Sequence, residues 1–328
     1  MENILVSGMR PTGKLHIGHI FGTLNNWVKY QNEYKCYFII VDWHALTTSY
    51  EKTQEIKDNI IEVLIDYLAF GIDPSKSVIY LQSLVEEVAV LHLILSMITP
   101  ISWLERVPSF KDQISQLGKE IATYGFLGYP VLMTADILAF NGKVVPVGQD
   151  QIPHLELARE IVRRFNSLYG ETFVEPQPLL TETPYIPGFD GRKMSKSYNN
   201  AIFIDESEKE TEEKVRKYIT DPQKIYKNSP GRPEICNVFT LHRAFRNEEL
   251  GDIEKDCRVG KLGCVECKKK LANLINSTLR PIREKRKEIS KDRKKLIEII
   301  EEGSRKAQRE ARKKLDEVNY KIGIGRGV

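Results

Sequence analysis

Ile4-Leu5-Val6-Ser7-Gly8-Met9-Arg10-Pro11-Thr12-Gly13-Lys14-Leu15-His16-Ile17-Gly18-His19 joins a short apolar run, a glycine- and proline-bearing turn and the start of a helical pattern. Ile4–Ser7 is apolar and partly β-branched, which predicts a strand, and residues 18–33 carry helical spacing. Glycines in such a turn let the backbone approach a ligand closely, and a helix start presents N–H groups to an anion. This is a nucleotide-binding layout. The glycines form neither G-x-G-x-x-G nor a P-loop, so a dinucleotide site and a Walker-type site are disfavoured.

Outward from this stretch the same rhythm repeats. Cys36–Asp42, Ser77–Gln82 and Lys143–Val147 read as strands, and residues 52–70, 86–98 and 151–168 as helices. The expected fold is α/β, a doubly wound parallel sheet of Rossmann-like type followed by an all-helical C-terminal domain. In such sheets ligands bind at the carboxyl ends of the strands where the winding reverses, which singles out the loop after the first strand and Asp42. Four prolines between Pro176 and Pro187 break the pattern, and strand signals vanish after about residue 201. The expected division is residues 1–188, a loop at 189–200, a helical domain at 201–285 and a basic amphipathic helix at 286–328. In that last stretch Leu296, Ile300, Gly303, Ala307, Ala311, Leu315 and Val318 make one narrow apolar stripe that should dock on the body.

The 328 residues are 41% hydrophobic and 29% charged, which excludes global disorder, and no apolar run approaches the ~20 residues of a membrane span. No signal peptide is evident in the first twenty residues, so the expected location is the cytoplasm. Net charge is +4, but residues 280–328 carry 17 Lys/Arg against 9 Asp/Glu, a basic segment suited to a polyanion such as RNA.

Five cysteines are too few for a disulfide scaffold. Four of them, Cys236, Cys257, Cys264 and Cys267, end in a C-x-x-C and form a metal-ligand pattern, with zinc the default and an iron–sulfur cluster the rival. Cys36 reads as a small core hydrophobe. Lys261 and the run Lys268-Lys269-Lys270 surround the four thiols and would suit an RNA backbone.

A second polar segment, Gly191-Arg192-Lys193-Met194-Ser195-Lys196-Ser197, places two lysines three apart in a loop. Lysines so placed can close over a triphosphate and stabilise the charge that builds on departing pyrophosphate. With His-Ile-Gly-His at 16–19 and Lys-Met-Ser-Lys-Ser at 193–197, in that order, the chain resembles the class I aminoacyl-tRNA synthetases. That resemblance implies activation of an amino acid by ATP, with Mg2+, followed by transfer to tRNA. It implies a catalytic set of His16, His19, Lys193 and Lys196, with Arg10, Thr12, Gly18, Met194 and Ser195 also at the ATP site, and Gly18 leaving room for adenine.

Three further stretches, Asp42-Trp43-His44-Ala45-Leu46-Thr47, Tyr129 to Phe140 (YPVLMTADILAF) and Val145 to Glu156 (VPVGQDQIPHLE), are similar to the bacterial tryptophanyl-tRNA synthetases. An aspartate within the apolar run at 129–140 is costly to bury unless something pairs with it, and a ligand donor is one such partner. On the resemblance Asp136 accepts the indole N–H, Met133 and Val147 line the indole slot, Tyr129 and Gln151 hold the amino group, and Val6 and His44 complete the pocket. Val6 and Arg10 stand where relatives often have Phe and Gln, and Gln149 replaces an acidic residue. The cysteine spacing resembles a subset of that family with a [4Fe–4S] cluster in the helical domain, Zn2+ remaining the alternative. The implied partners are L-tryptophan, tRNA(Trp) and a second copy of the chain in a homodimer. A tyrosine-specific relative and a non-charging paralogue that binds RNA or senses tryptophan are the competing readings.

Overall fold

The computed structural model describes residues 3–108, 114, 118, 121–180 and 185–325, with the side chains of Asp150 and Ser197 outside the described set. Five parallel strands form one sheet in the order β3-β2-β1-β4-β5. β1 (Ile4–Met9) runs beside β2 (Lys35–Ile40) from Ile4↔Lys35 to Met9↔Ile40, and on its other side meets β4 (Val144–Val147) through Leu5↔Val144. β2 continues to β3 (Ser77–Leu81), and β4 to β5 (Gln177–Leu180). The winding therefore reverses between β1 and β4, which opens a crevice at their carboxyl ends. The doubly wound α/β fold expected from the sequence is the one observed.

β2 is buried at every position from Cys36 to Ile40, as a parallel strand covered on both faces must be. Trp27 stacks on Phe38 with ring centroids 4.4 Å apart, closing one face. Some details differ from the sequence reading. The second strand stops at Ile40, and Asp42 already opens helix α1 (Asp42–Ser49). β5 was not foreseen, because Pro178 reads as a breaker; among the described residues the strand pairs only with β4, and an edge tolerates a residue without an N–H.

The connections carry α2 (Thr53–Phe70), α3 (Glu86–Met97), α4 (Tyr129–Leu138) and α5 (Ile152–Tyr169). The chain divides into two compact units, each discontinuous in sequence: Met1–Gly13 with Trp27–Glu182 and Asp292–Val328, and Lys14–Asn26 with Thr183–Lys291.

The first unit holds the sheet. In the second, Ile17 N–H donates to Ile202 O at 3.0 Å and Ile204 N–H to Leu15 O at 2.9 Å, so residues 15–17 and 202–204 run as a short antiparallel pair. Helix α6 (Glu208–Arg216), started by a Ser207–Glu210 capping box, packs on α9 (Cys264–Ile289). Arg283 lies buried between them and donates to Thr211 Oγ1 at 2.8 Å, Asn276 Oδ1 at 2.9 Å and Ile204 O at 3.1 Å. Between α6 and α9 come α7 (Asn237–Ala244) and α8 (Leu250–Arg258).

The last helix, α10 (Arg293–Ile322), lies on β3 and α3 within the sheet unit. All seven stripe positions from Leu296 to Val318 are buried. Gly303 allows the helix to touch the strand backbone, and Ser304 Oγ accepts from Leu81 N–H at 3.3 Å. Among the described residues, no helix is long and apolar enough to cross a membrane.

Candidate functional site

At the carboxyl ends of β1 and β4, in the sheet unit, lies a cavity of about 350 Å³. β1 and its following turn contribute Val6 and Arg10, β4 contributes Val147, α1 contributes His44, and α4 contributes Tyr129, Met133 and Asp136, with Gln151 beyond β4. Every residue assigned from the sequence to the amino-acid pocket thus lines one cavity. Thr47 and Phe126, which the sequence reading passed over, line it as well. Its size suits a small aromatic ligand.

Asp136 is the central polar group, on a helix whose other buried positions are nearly all apolar. The carboxylate does not wait for a ligand as its only partner. Gln82 Nε2 lies 2.8 Å from each of its oxygens, and His44 Nε2 lies 2.9 Å from Oδ2. A carboxylate offers about four lone-pair sites, so acceptor capacity remains on the cavity side. His44 lines the cavity with its ring nitrogen engaged by Asp136. Gln82 was missed by sequence reasoning; the available signal was its place at the end of the third strand.

Arg10 extends from the turn after β1 to Thr48 Oγ1, and burial pulls its guanidinium below the usual arginine range. Tyr129, which lines the cavity, meets His154 Nε2 through its hydroxyl. Thr12 is exposed in the turn that follows Arg10.

The second unit holds the two polar motifs. His16 caps the helix that it precedes: its Nδ1 accepts from Gly18 N–H at 3.1 Å, and His16 N–H donates to His19 Nδ1 at 3.1 Å. The N–H groups expected to face an anion are therefore partly taken by the chain's own imidazoles. Because His16 Nδ1 is an acceptor, its proton resides on Nε2. Burial, and then the nearby Lys196 charge, pull the His16 imidazole down to about 4. His19 is held well below its ordinary value by burial, His16 and Lys196. Both rings are neutral near pH 7. A Cβ on Gly18 would stand 2.8 Å from His16 Cε1, so within this chain the glycine makes room for that ring.

The loop of residues 193–197 is pinned from behind. Buried Asn200 accepts from Ser195 N–H at 2.8 Å and donates to Asp190 at 2.7 Å and to Lys193 O at 3.2 Å. Met194 is buried, and its N–H donates to Ile186 O at 3.0 Å. This leaves Lys193 exposed, while Lys196 acts electrostatically on both histidines.

Cys236, Cys257, Cys264 and Cys267 are free thiols in one lobe of the second unit, and buried Cys36 is the fifth. Burial is the largest influence on Cys236, Cys257 and Cys267, each raised and each raised further by neighbouring thiols; Cys267 is pushed up to about 12. Among the described residues, no group of three or more His, Cys, Asp or Glu is arranged to hold a metal ion. The sequence expectation of a metal centre meets clustered donors without an assembled ligand set.

The family model for class I tRNA synthetases (W and Y) matches residues 1–280. The chain is 48% identical to the tryptophan–tRNA ligase of Aquifex aeolicus, and 48% identical to that of Thermotoga maritima, each over 98% of this chain and 99% of the relative. Among solved structures it is similar to the tryptophanyl-tRNA synthetase of Campylobacter jejuni complexed with ADP and tryptophan, with a TM-score of 0.89, 37% identity, and coverage of 98% of this chain and 100% of that one. On a family match over most of its length, joined to relatives matched nearly end to end, the chain belongs to the class I tRNA synthetases of the tryptophan and tyrosine group.

Proposed function

We propose that this chain is a tryptophan–tRNA ligase. It activates L-tryptophan with ATP and transfers the aminoacyl group to tRNA(Trp). The observation that carries the reading is the single cavity that unites Asp136 with Val6, His44, Tyr129, Met133, Val147 and Gln151. The indole lies between Met133 and Val147 and donates its N–H to Asp136, while Tyr129 and Gln151 hold the amino group. A buried carboxylate aimed at a ring N–H rejects a ring without that donor, because the carboxylate would lose a partner.

Activation forms a bond from the tryptophan carboxylate to the α-phosphate as the bond to pyrophosphate breaks. Nothing covalent is asked of the protein, so its work is positioning and charge stabilisation. The Nε2–H of His16 donates to a phosphate oxygen as a neutral group, and His19 stands beside it. Lys193 and Lys196 neutralise the departing pyrophosphate, with the backbone of Met194 and Ser195 beside them. Arg10, Thr12 and Gly18 complete the nucleotide site, and Mg2+ accompanies ATP.

The helical unit, with its run Lys268-Lys269-Lys270, takes the tRNA. A homodimer is supported by the apolar residues Leu93 and Met97 on α3 and Ile101 beyond it, 54%, 73% and 63% exposed. The cytoplasm is the expected compartment. For the four cysteines we favour a [4Fe–4S] cluster over Zn2+ because their spacing resembles that of the cluster-bearing subset; four soft thiols in one lobe suit either group. The centre would be structural. Iron, zinc and sulfide analysis of anaerobically purified protein decides it, and zinc without sulfide would sink the cluster.

Exchange of labelled pyrophosphate into ATP, run in parallel with tryptophan and tyrosine, tests the main reading. Exchange with tryptophan alone, lost in Asp136→Asn, is the expected result. Exchange with tyrosine would overturn the pocket assignment, and exchange with neither, from folded protein, would overturn the enzyme.

A further inference from the structure

Gln82 is fully buried at the end of β3, and its amide is committed on both sides. Its Oε1 accepts from the backbone N–H of Trp43 at 3.1 Å and of His44 at 3.4 Å, in a first turn of α1 that has no side-chain cap of its own. Backbone N–H groups only donate and a carboxylate only accepts. The amide therefore has one self-consistent orientation, with Nε2 toward Asp136 and 2.8 Å from both oxygens. One side chain thereby ties α1, which carries His44 and Thr47, to α4, which carries Tyr129, Met133 and Asp136. The bond from Leu81 N–H to Ser304 Oγ holds the residue just before it.

We propose that Gln82 is a positioning and specificity-determining residue of the amino-acid cavity. By holding both Asp136 oxygens from behind it fixes the plane of the carboxylate, so that the lone pairs left by Gln82 and His44 face the cavity and read a ring N–H. The proposal rests on the reading of Asp136 as the indole acceptor. Its consequence is that discrimination for the N–H donor, rather than binding of an aromatic ring in general, depends on a side chain that does not line the cavity.

Gln82→Glu separates this from a bulk structural role. The substituted side chain keeps an oxygen for Trp43 and His44 and nearly the same volume, but presents an acceptor to Asp136 where a donor stood. The readout is the ratio of kcat/KM for tryptophan to that for its benzothienyl isostere, in which sulfur replaces the ring N–H, both measured by pyrophosphate exchange on one preparation. Partial unfolding cancels from such a ratio. The expected result is a strong wild-type preference for tryptophan that falls about tenfold or more in Gln82→Glu. Gln82→Met, which removes the donor without adding charge, supplies the same ratio if Gln82→Glu does not fold. If wild type discriminates, Asp136→Ala abolishes the discrimination and the Gln82 variants leave it intact, this proposal is overturned while the pocket reading stands. A wild-type protein that treats the two amino acids alike overturns both.

Discussion

Gly303 on α10 faces the backbone of Ile79 on β3 so closely that a Cβ there would lie 1.7 Å from the Ile79 carbonyl oxygen. The carbonyl belongs to a paired strand and cannot retreat, so any side chain must push helix and sheet apart. Gly303→Ala is expected to cost about 3 kcal/mol or more, despite the higher helix propensity of alanine. A fall in the denaturant midpoint checks it, and an unchanged midpoint would contradict the packing.

Arg312 on the same helix lies 2.6 Å from Glu87 at the start of α3, whose side chain is almost wholly buried. Removing the arginine leaves a buried carboxylate without its counter-charge, whereas removing both charges does not. Since the arginine is itself half exposed, Arg312→Met is expected to cost about 2 kcal/mol, with Glu87→Gln recovering part of it. A double-mutant cycle gives the coupling, and strictly additive losses would dismiss the pair.

A pH dependence follows from His16. Its folded value of about 4 lies below the ordinary 6.5, so between those limits the unfolded chain binds the proton and the native ring does not. Stability from this group is complete above pH 6.5 and is lost as pH falls toward 4. The loss is of order 2 kcal/mol by pH 5. Comparing unfolding of wild type and His16→Gln at pH 7 and pH 5 isolates it, and parallel slopes would refute it.

Lys196 contributes to the depression of both imidazoles. Lys196→Met should raise the His16 pKa, seen as a shifted imidazole titration by NMR. On the proposed function the same variant should slow pyrophosphate exchange by about 100-fold, since that reading assigns Lys196 to the charge on the leaving group. A slowed reaction with an unmoved titration would place the lysine away from His16.

Local patterns were legible and distant pairings were not. Ile4–Ser7 and the helix after it follow from adjacent residues, and the Leu296–Val318 stripe needs only helical periodicity. Helix α4 escaped notice as a helix because it is apolar nearly all round, which erases the period. β5 escaped because Pro178 argues against a strand unless it is known to lie at an edge. Asp136 stood out as a charge in an apolar run, yet Gln82, 54 residues away, is marked only by its place at a strand end, which does not reveal its partner. The cysteine spacing brought the four thiols to notice, but spacing alone does not specify how sulfurs are disposed in space.

The bond from Leu81 to Ser304 spans 223 residues. During synthesis the nascent sheet must therefore wait roughly ten to forty seconds, at ordinary rates of elongation, before the helix that covers β3 leaves the ribosome. For that interval an apolar strand face and the residue beside Gln82 lack their cover, and a chain stalled late in translation would carry a sheet with its outermost flank unsheltered. Such a chain would be a ready target for a chaperone, and the last helix would serve as the signal that the sheet is finished.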